Sequence, residues 1–441
     1  MTALSAAAYR AARAVLFTVS AILALLLVGF LLFLVLFERG LEYKVRPPPM
    51  ALADDEYLCL LAALSDAQIH RGSKVEVLSE GPAFYEAQVE AIRAARQCVN
   101  LEAYIFAPGE VTRRFVEAMT ERARAGVKVK VVLDAIGSFG TPDRYFAELR
   151  AAGGEVHWYQ PLRWYTFKRI NNRTHRELLI VDGEVGFIGG AGYADVWFKQ
   201  TNGQPRWRDT VCRVRGELLT GLQTAFAENW LEAADEILTG QDYFPGACTI
   251  EDPVPGGTTR GFVVISSPSW GRSSRARILF QTLLASARQS IHINSPYFMP
   301  DFSARRELCR ARVRGVEVKV IAPGDHADHL LTRRSSRRRY GELLKAGVEI
   351  HEYQPAMIHA KILIIDGTWA VVGSTNFDNR SFGINDEVNL AALDPILAGR
   401  LEADFQRDLV QSRQVTYEAW ARRPMSERVV EWAGRVLERQ Q

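Results

Sequence analysis

The chain matches itself: four segments of its first half recur, in the same order and at a nearly constant offset, in its second half. AARQCVNLEAYIFAPG at 94–109 is answered by SARQSIHINSPYFMPD at 286–301, and RAGVKVKVVLDAIG at 124–137 by VRGVEVKVIAPGD at 313–325. ELRAAGGEVHWYQP at 148–161 pairs with ELLKAGVEIHEYQP at 342–355, and THRELLIVDGEVGFIGGAGYAD at 174–195 with IHAKILIIDGTWAVVGSTNFDN at 358–379. Self-similarity of this kind confines the fold to two like units built from the same supersecondary pieces. Packed face to face, such units present equivalent loops to one cleft.

Within each copy, amphipathic helical stretches such as Phe84 to Arg96 and Thr112 to Ala125 alternate with short β-branched runs such as Val127 to Leu133. Strands alternating with helices imply β-α-β units. The expected fold class is therefore α/β: two tandem repeats, each a mixed, mostly parallel sheet flanked by helices, around one shared active-site cleft. The first repeat is expected over 51–240 and the second over 262–414, with the Gly-, Pro- and Thr-rich stretch 241–261 as linker. Beyond it, 415–441 alternates Arg and Glu with Trp420, Val429, Val430, Trp432 and Val436. That pattern predicts a C-terminal amphipathic helix, docked on the core or, alternatively, touching a membrane.

Residues 1–50 differ from the rest. From Val15 to Phe37 there is no charged side chain, and about 20 apolar residues span a bilayer as a helix. The apolar run exceeds that of a secretory signal and continues into Glu38, Arg39 and Gly40 rather than a small-residue cleavage site. A single-pass anchor is expected, followed by a stiff spacer at Pro47, Pro48 and Pro49 that holds the body off the lipid. Arg10 and Arg13 precede the span and Arg39, Lys44 and Arg46 follow it, so charge does not fix its orientation. The five cysteines are an odd number with no pair at metal-ligand spacing. Read as ordinary thiols, they favour a cytoplasmic body. A net charge of +3 confines any basic surface to local patches.

The chemistry sits in the fourth pair of segments. In the second copy His359 and Lys361 are followed by Ile362 to Ile365, Asp366 and Gly367. On extended backbone, residues i and i+2 share a face, so imidazole and ammonium point together into the cleft. Phosphoryl chemistry needs that combination: one group to attack or pass a proton, another to hold the phosphate charge. Asp366 and Gly367 end the strand in a turn. Gly373, Ser374 and Asn376 then offer small side chains and hydrogen-bond donors for phosphate oxygens. A lone H-x-K is most often structural; the whole H-x-K-x-x-x-x-D string with G-S-x-N, with its counterpart at a duplicated position, is far more specific.

This paired pattern resembles the signature of the phospholipase D superfamily. NSPYFMPD at 294–301, AGVEIHEYQPAMIHAK at 346–361, GSTNFDNRSFGINDEVNL at 373–390 and WRDTVCRVRG at 207–216 resemble its bacterial cardiolipin synthases, a likeness running from about Ala51 to Gln414. The resemblance implies that one histidine attacks phosphorus to give a phosphohistidine, while the other protonates the leaving alcohol and deprotonates the incoming one. It favours His175 as nucleophile and His359 as acid/base, with Lys361, Asp182 and Asp366 completing the motifs. It further implies phosphatidyl transfer in a bacterial inner membrane, with anionic phospholipids, phosphatidylglycerol among them, as substrates. No metal or cofactor is implied, and the anchor favours lipid over nucleic acid. Oligomeric state is not set by these features. Asp209 and Glu387 follow their histidines at similar distances and are candidates to fix each imidazole's tautomer.

The first copy departs from the pattern. It reads His175, Arg176, Glu177, and has Gly190 and Gly192 where the second has Ser374 and Asn376. A carboxylate about 4 Å from an anionic phosphate costs on the order of 1 to 4 kcal/mol, which uncompensated slows a reaction roughly tenfold to a thousandfold. Three readings stand: Glu177 pairs with a cation such as Lys361 or an arginine, it contacts the accepting alcohol, or the site is impaired. Compensating charge is available in Arg333, Arg334, Arg337, Arg338 and Arg339, of which Arg333 and Arg337 are candidates to hold anionic headgroups. The insertion Arg163, Trp164, Tyr165, Phe167, Lys168, Arg169 suits a membrane interface and equally a nucleic acid. The alternatives to transfer are a hydrolase or nuclease of the same superfamily, with water as acceptor, and a catalytically weakened lipid-binding protein.

Overall fold

The β-branched runs of both copies become strands of a single sheet. The computed structural model describes residues 3–36, 43–161, 171–245, 254–268, 274–328, 330–425 and 427–428. The first repeat contributes β1 (His70–Ser79), β2 (Cys98–Ala103), β3 (Lys128–Asp134), β4 (Glu155–Tyr159), β5 (Leu178–Val181), β6 (Val185–Gly189) and β7 (Thr210–Arg215). The second contributes β8 (Thr259–Ser266), β9 (Ser290–Asn294), β10 (Glu317–Pro323), β11 (Glu349–Tyr353), β12 (Ile362–Ile365), β13 (Trp369–Gly373) and β14 (Glu387–Leu393), and β15 (Ser412–Val415) adds an edge. Their order is β15-β11-β10-β9-β12-β13-β14-β8-β1-β7-β6-β5-β2-β3-β4. The two halves mirror one another in strand order about the antiparallel β1–β8 seam.

The sheet is mixed, as expected, but antiparallel neighbours outnumber parallel ones. Only β2-β3-β4 and β9-β10-β11 run parallel. The reason is local: β5 to β6 and β12 to β13 are joined by tight turns at Asp182-Gly183 and Asp366-Gly367, all four residues at positive φ, rather than by crossover helices.

Each turn aspartate also secures the entry to a neighbouring strand. Asp182 accepts from the amides of Arg96, Gln97 and Cys98 at 2.8, 2.8 and 2.9 Å. Asp366 accepts from those of Arg288, Gln289 and Ser290 at 2.9, 2.8 and 2.8 Å. Three charge-assisted bonds per carboxylate fasten the turn to the helix-to-strand junction beside it.

Three apolar cores result. One fills the first repeat around Phe84, Phe115 and Trp197. The second repeat's core includes Tyr57, Leu58 and Leu61 of helix Asp55–Leu64. This corrects the sequence assignment of that helix to the first repeat: its apolar face meets Trp369, with Tyr57 at 5.9 Å between ring centroids. The third core lies between the repeats and joins Leu222, Phe226 and Trp230 to Leu397, Leu401 and Phe405, along with side chains of β5 and β12. At about 1.5–3 kcal/mol per buried large apolar side chain, this shared core binds the halves into one unit.

The flanking segments also differ from expectation. Rather than standing off as a free spacer, Tyr43 donates its amide to Ser303 Oγ at 3.1 Å, and the carbonyl of Met50 accepts from Arg288 at 3.0 Å. The predicted linker ends early, because β8 begins at Thr259 and pairs Arg260 with Leu393. At the other end Ser412–Val415 is a strand on β11, and a short helix Tyr417–Ala421 follows. Its Trp420 donates to the carbonyl of Arg337 at 2.6 Å and so docks on helix Leu330–Lys345. Val429 to Gln441, and the insertion Arg163 to Arg169, lie outside the described residues. N-terminally, helix Ala3–Leu36 is long and apolar enough to cross a membrane, and the rest of the protein leaves Arg13 to Phe30 uncovered.

Replacing Asp366 by Ala is expected to cost about 3 kcal/mol, from lost charged hydrogen bonds plus a non-glycine residue without a local partner at positive φ. Asp366→Asn, which keeps an acceptor and tolerates that backbone, is expected to lose markedly less. Thermal unfolding of the purified protein, followed by circular dichroism, checks the order; equal losses would refute the capping role.

Candidate active site

Both histidines stand on extended backbone just ahead of a hairpin, His175 before β5 and His359 before β12. Neither segment is held by its own repeat alone. The amide of His175 donates to the carbonyl of Asp386 at 2.9 Å, and Asp386 donates back to the carbonyl of Arg173 at 2.9 Å. In the mirror position, the amide of His359 donates to the carbonyl of Arg208 at 2.7 Å, and Arg208 to that of Met357 at 2.8 Å. Thr174 is also tied to the end of β3, its amide donating to Asp134 Oδ2 at 3.1 Å.

These bridges put the next residue of each strand against the opposite histidine. Glu387 lies at 3.1 Å from His175 Nδ1 through both carboxylate oxygens, and Asp209 Oδ2 lies 3.0 Å from His359 Nδ1. The sequence had paired each carboxylate with the histidine of its own repeat. That pairing is corrected: the partners are exchanged, because the backbone bridges run between repeats.

Both carboxylates are fully buried. Burial pushes Glu387 up, but His175, with Ser374 and Ser381, outweighs it and holds the group below the usual range. Asp209 is likewise raised by burial and brought below its ordinary value by His359, Lys361 and the Thr210 amide. Ionised carboxylates only accept, so each imidazole carries its proton on Nδ1 and presents Nε2. Burial, then Lys361, lowers the His359 pKa against the upward pull of Asp209.

Lys361 Nζ sits 3.0 Å from His359 Nδ1 and 3.3 Å from Nε2, and donates to the His359 carbonyl at 2.9 Å. With Nδ1 already donating to Asp209, the ammonium lies against the ring rather than on a lone pair. Burial holds its pKa below the ordinary lysine value, against the upward pull of Asp209, Glu387, Glu177 and Asp328. One lysine thus senses carboxylates of both repeats.

Glu177 forms no ion pair with Lys361 or an arginine among the described residues; its Oε1 accepts from the amides of Tyr104 and Ile105 at 3.2 and 3.3 Å. Burial pushes its pKa well above the ordinary carboxylate range, against those amides and Lys361. Burial thus disfavours a charged carboxylate here, which eases the expected clash with a phosphate.

Other expected site residues are placed differently. Asp182 and Asp366, expected among the catalytic groups, lie at the far ends of β5 and β12, about 20 Å from the histidines at roughly 3.3 Å per residue, with their carboxylates committed to backbone amides. Ser374, expected on phosphate, donates instead to Glu387 and accepts from the Val388 amide at 3.1 Å. Asn376 is buried with Oδ1 unbonded. Arg333 and Arg337, expected on headgroups, are turned inward: Arg333 pairs with Asp325 at 2.7 Å and approaches Glu352 at 3.5 Å, the distance at which Arg337 also meets Glu352. A buried carboxylate facing them draws them in.

Sequence reasoning missed two supports. Trp197 donates from Nε1 to Asp209 Oδ2 at 3.1 Å; a tryptophan in an apolar stretch gives no signal beyond core packing. Glu102, raised by burial to about 7, accepts from Thr174 and Asn229 beneath the His175 segment. Among the described residues no group of three His, Cys, Asp or Glu side chains gathers as metal ligands.

The crosswise pairing is checked by nitrogen NMR of the imidazoles. Asp209→Asn is expected to perturb His359, one repeat away, and move its titration to lower pH, since the carboxylate is what raises it. Glu387→Gln is expected to perturb the ring of His175. Disturbance of the same-repeat histidine in either variant would contradict the geometry.

Comparison with known proteins bears on most of the chain. A family model described as "Cardiolipin synthase, PLD-like domain" matches residues 89–201 and 280–409. A cardiolipin synthase of Geobacillus kaustophilus is 31% identical over 408 residues, covering 91% of this chain and 79% of that protein. The major cardiolipin synthase ClsA of Bacillus subtilis is 31% identical over 387 residues, 87% of this chain and 78% of that one. The fold is similar to that of phosphatidylserine synthase from Haemophilus influenzae, with a TM-score of 0.68 at 13% identity, covering 87% of this chain and 99% of that chain.

Proposed function

We propose that this chain, which belongs to the phospholipase D-like cardiolipin synthase family and is a phosphatidyltransferase of that superfamily, makes cardiolipin from two molecules of phosphatidylglycerol through a phosphohistidine. The observation that carries the reading is the pair of buried imidazoles, each with Nδ1 held by the other repeat's carboxylate.

In the first half-reaction His175 Nε2 attacks the phosphorus of one phosphatidylglycerol. A P–N bond forms, the P–O bond to the glycerol headgroup breaks, and His359 gives its Nε2 proton to the departing oxygen. Asp209 supports the His359 imidazolium required for that step. In the second half-reaction neutral His359 takes the proton from a headgroup hydroxyl of the second phosphatidylglycerol, whose oxygen attacks phosphorus and breaks the P–N bond. Charge on the phosphoryl oxygens is met by Lys361. Water entering in place of the second lipid would yield phosphatidic acid, so acceptor choice is separate from the histidine chemistry. The apolar helix Ala3–Leu36 supports anchoring beside a lipid substrate.

The test is lipid mass spectrometry of a bacterium lacking its own cardiolipin synthases and expressing this chain, its His175→Ala variant or its His359→Ala variant. Cardiolipin is expected only with both histidines intact. Phosphatidic acid alone would make the enzyme a hydrolase, and an unchanged lipid profile with membrane-inserted protein would remove the lipid reading.

A further inference from the structure

Glu177 occupies, in the first repeat, the place that Lys361 holds in the second. We propose that Glu177 replaces the missing lysine as a neutral hydrogen-bond donor, offering the proton of its carboxyl group to a non-bridging oxygen of the phosphoryl group. The inference rests on the phosphoryl-transfer reading above and adds to it how an asymmetric site holds its substrate.

The two carboxyl oxygens of Glu177 are used unequally. Oε1 accepts from two backbone amides, those of Tyr104 and Ile105. Oε2 is buried and has no hydrogen-bond partner. A carboxyl group arranged in this way carries its proton on the bare oxygen, and a buried donor without an acceptor is costly until something brings it one. The phosphoryl oxygens are such an acceptor.

The neighbouring glycines fit this arrangement. A Cβ on Gly192, the counterpart of Asn376, would stand 2.8 Å from Ile105 Cβ and 3.2 Å from Glu177 Oε1. A Cβ on Gly190, the counterpart of Ser374, would stand 2.8 Å from Lys361 Nζ and 2.9 Å from its Cδ. One glycine thus makes room for the glutamate and the other for the single lysine. Glu177, Gly190 and Gly192 form one linked replacement rather than three separate losses.

The charges agree. A phosphodiester carries one negative charge, which Lys361 meets. A neutral acid supplies a second contact without a charge of its own. The titratable groups facing Glu177 are Lys361, Glu102 of β2, Tyr104 beyond it, Tyr85 of helix Gly81–Ala94 and Tyr193 after β6. Burial of Glu177 raises its pKa above the ordinary range, and Glu102 adds to that; Lys361 and the Ile105 and Tyr104 amides pull the other way.

The experiment compares headgroup release from phosphatidylglycerol vesicles by full-length, membrane-inserted wild type and the Glu177→Gln, Glu177→Ala and Glu177→Lys variants, from neutral to strongly alkaline pH. Glu177→Gln keeps a neutral donor and is expected to retain at least about a third of the neutral-pH rate. Glu177→Ala is expected to fall about a hundredfold, mainly in kcat, and Glu177→Lys to fall rather than gain. A neutral donor works below its pKa and is lost above it, so the alkaline limb of the wild type should be steeper by one proton than that of Glu177→Gln. Equal limbs, a glutamine variant as poor as alanine, or a gain with lysine would each overturn the proposal. Should alanine prevent folding, the glutamine pH profile decides alone. If the wild type yields phosphatidic acid instead of cardiolipin, the transfer reading fails while this comparison still reads Glu177, because both products pass through the same phosphoryl group. If the wild type releases no headgroup at any pH, both fall together.

Discussion

An ionised carboxylate with no exposed surface costs several kcal/mol unless donors are fixed beside it, and the histidine that faces Glu387 and the one that faces Asp209 each come from the other repeat. The rest of the molecule supports these two contacts. The main-chain bridges of Asp386 to the His175 segment and Arg208 to the His359 segment set their spacing. The β1–β8 seam and the core between the repeats keep those bridges in register. Either half alone would hold a histidine without its carboxylate and a buried carboxylate without its histidine. The site is therefore a property of the pair.

Elsewhere, too, charge is gathered inside the protein instead of being spread over the surface. The arginines of helix Leu330–Lys345 show this: Glu352, buried at their feet, forms ion pairs with Arg333 and Arg337, and Glu427 pairs with Arg334 at 2.6 Å. What reads in sequence as a cationic face is in good part an internal network. The segment after the N-terminal helix behaves similarly, Tyr43 and Met50 being fastened to the second repeat.

Much of the plan was legible because duplication is a long-range signal. Two copies of one motif announce two like units, and the strand runs and the Asp-Gly turns follow from β-branching and positive-φ chemistry. The exchange of carboxylates was not legible. Spacing along a chain associates a residue with what precedes it, whereas the bridge from Asp386 to His175 joins residues more than two hundred positions apart and leaves no periodic trace. The spacing of the motif carries no sign of these separate roles: its aspartates recur as regularly as its histidines, yet they anchor strand entries. The surroundings of Glu177 were hidden for another reason, since its burial and its two backbone amide contacts are encoded by no side-chain pattern.

Both halves belong to one polypeptide and meet at the β1–β8 seam. In an assembly of two identical single-repeat chains, any substitution beside one histidine would appear beside the other as well, and an exchange of lysine for glutamate would strip the site of both cations at once. Fusion removes that constraint. Each half answers separately to selection, and a two-fold framework becomes free to hold unlike groups on its two sides: a lysine on one, a glutamate on the other.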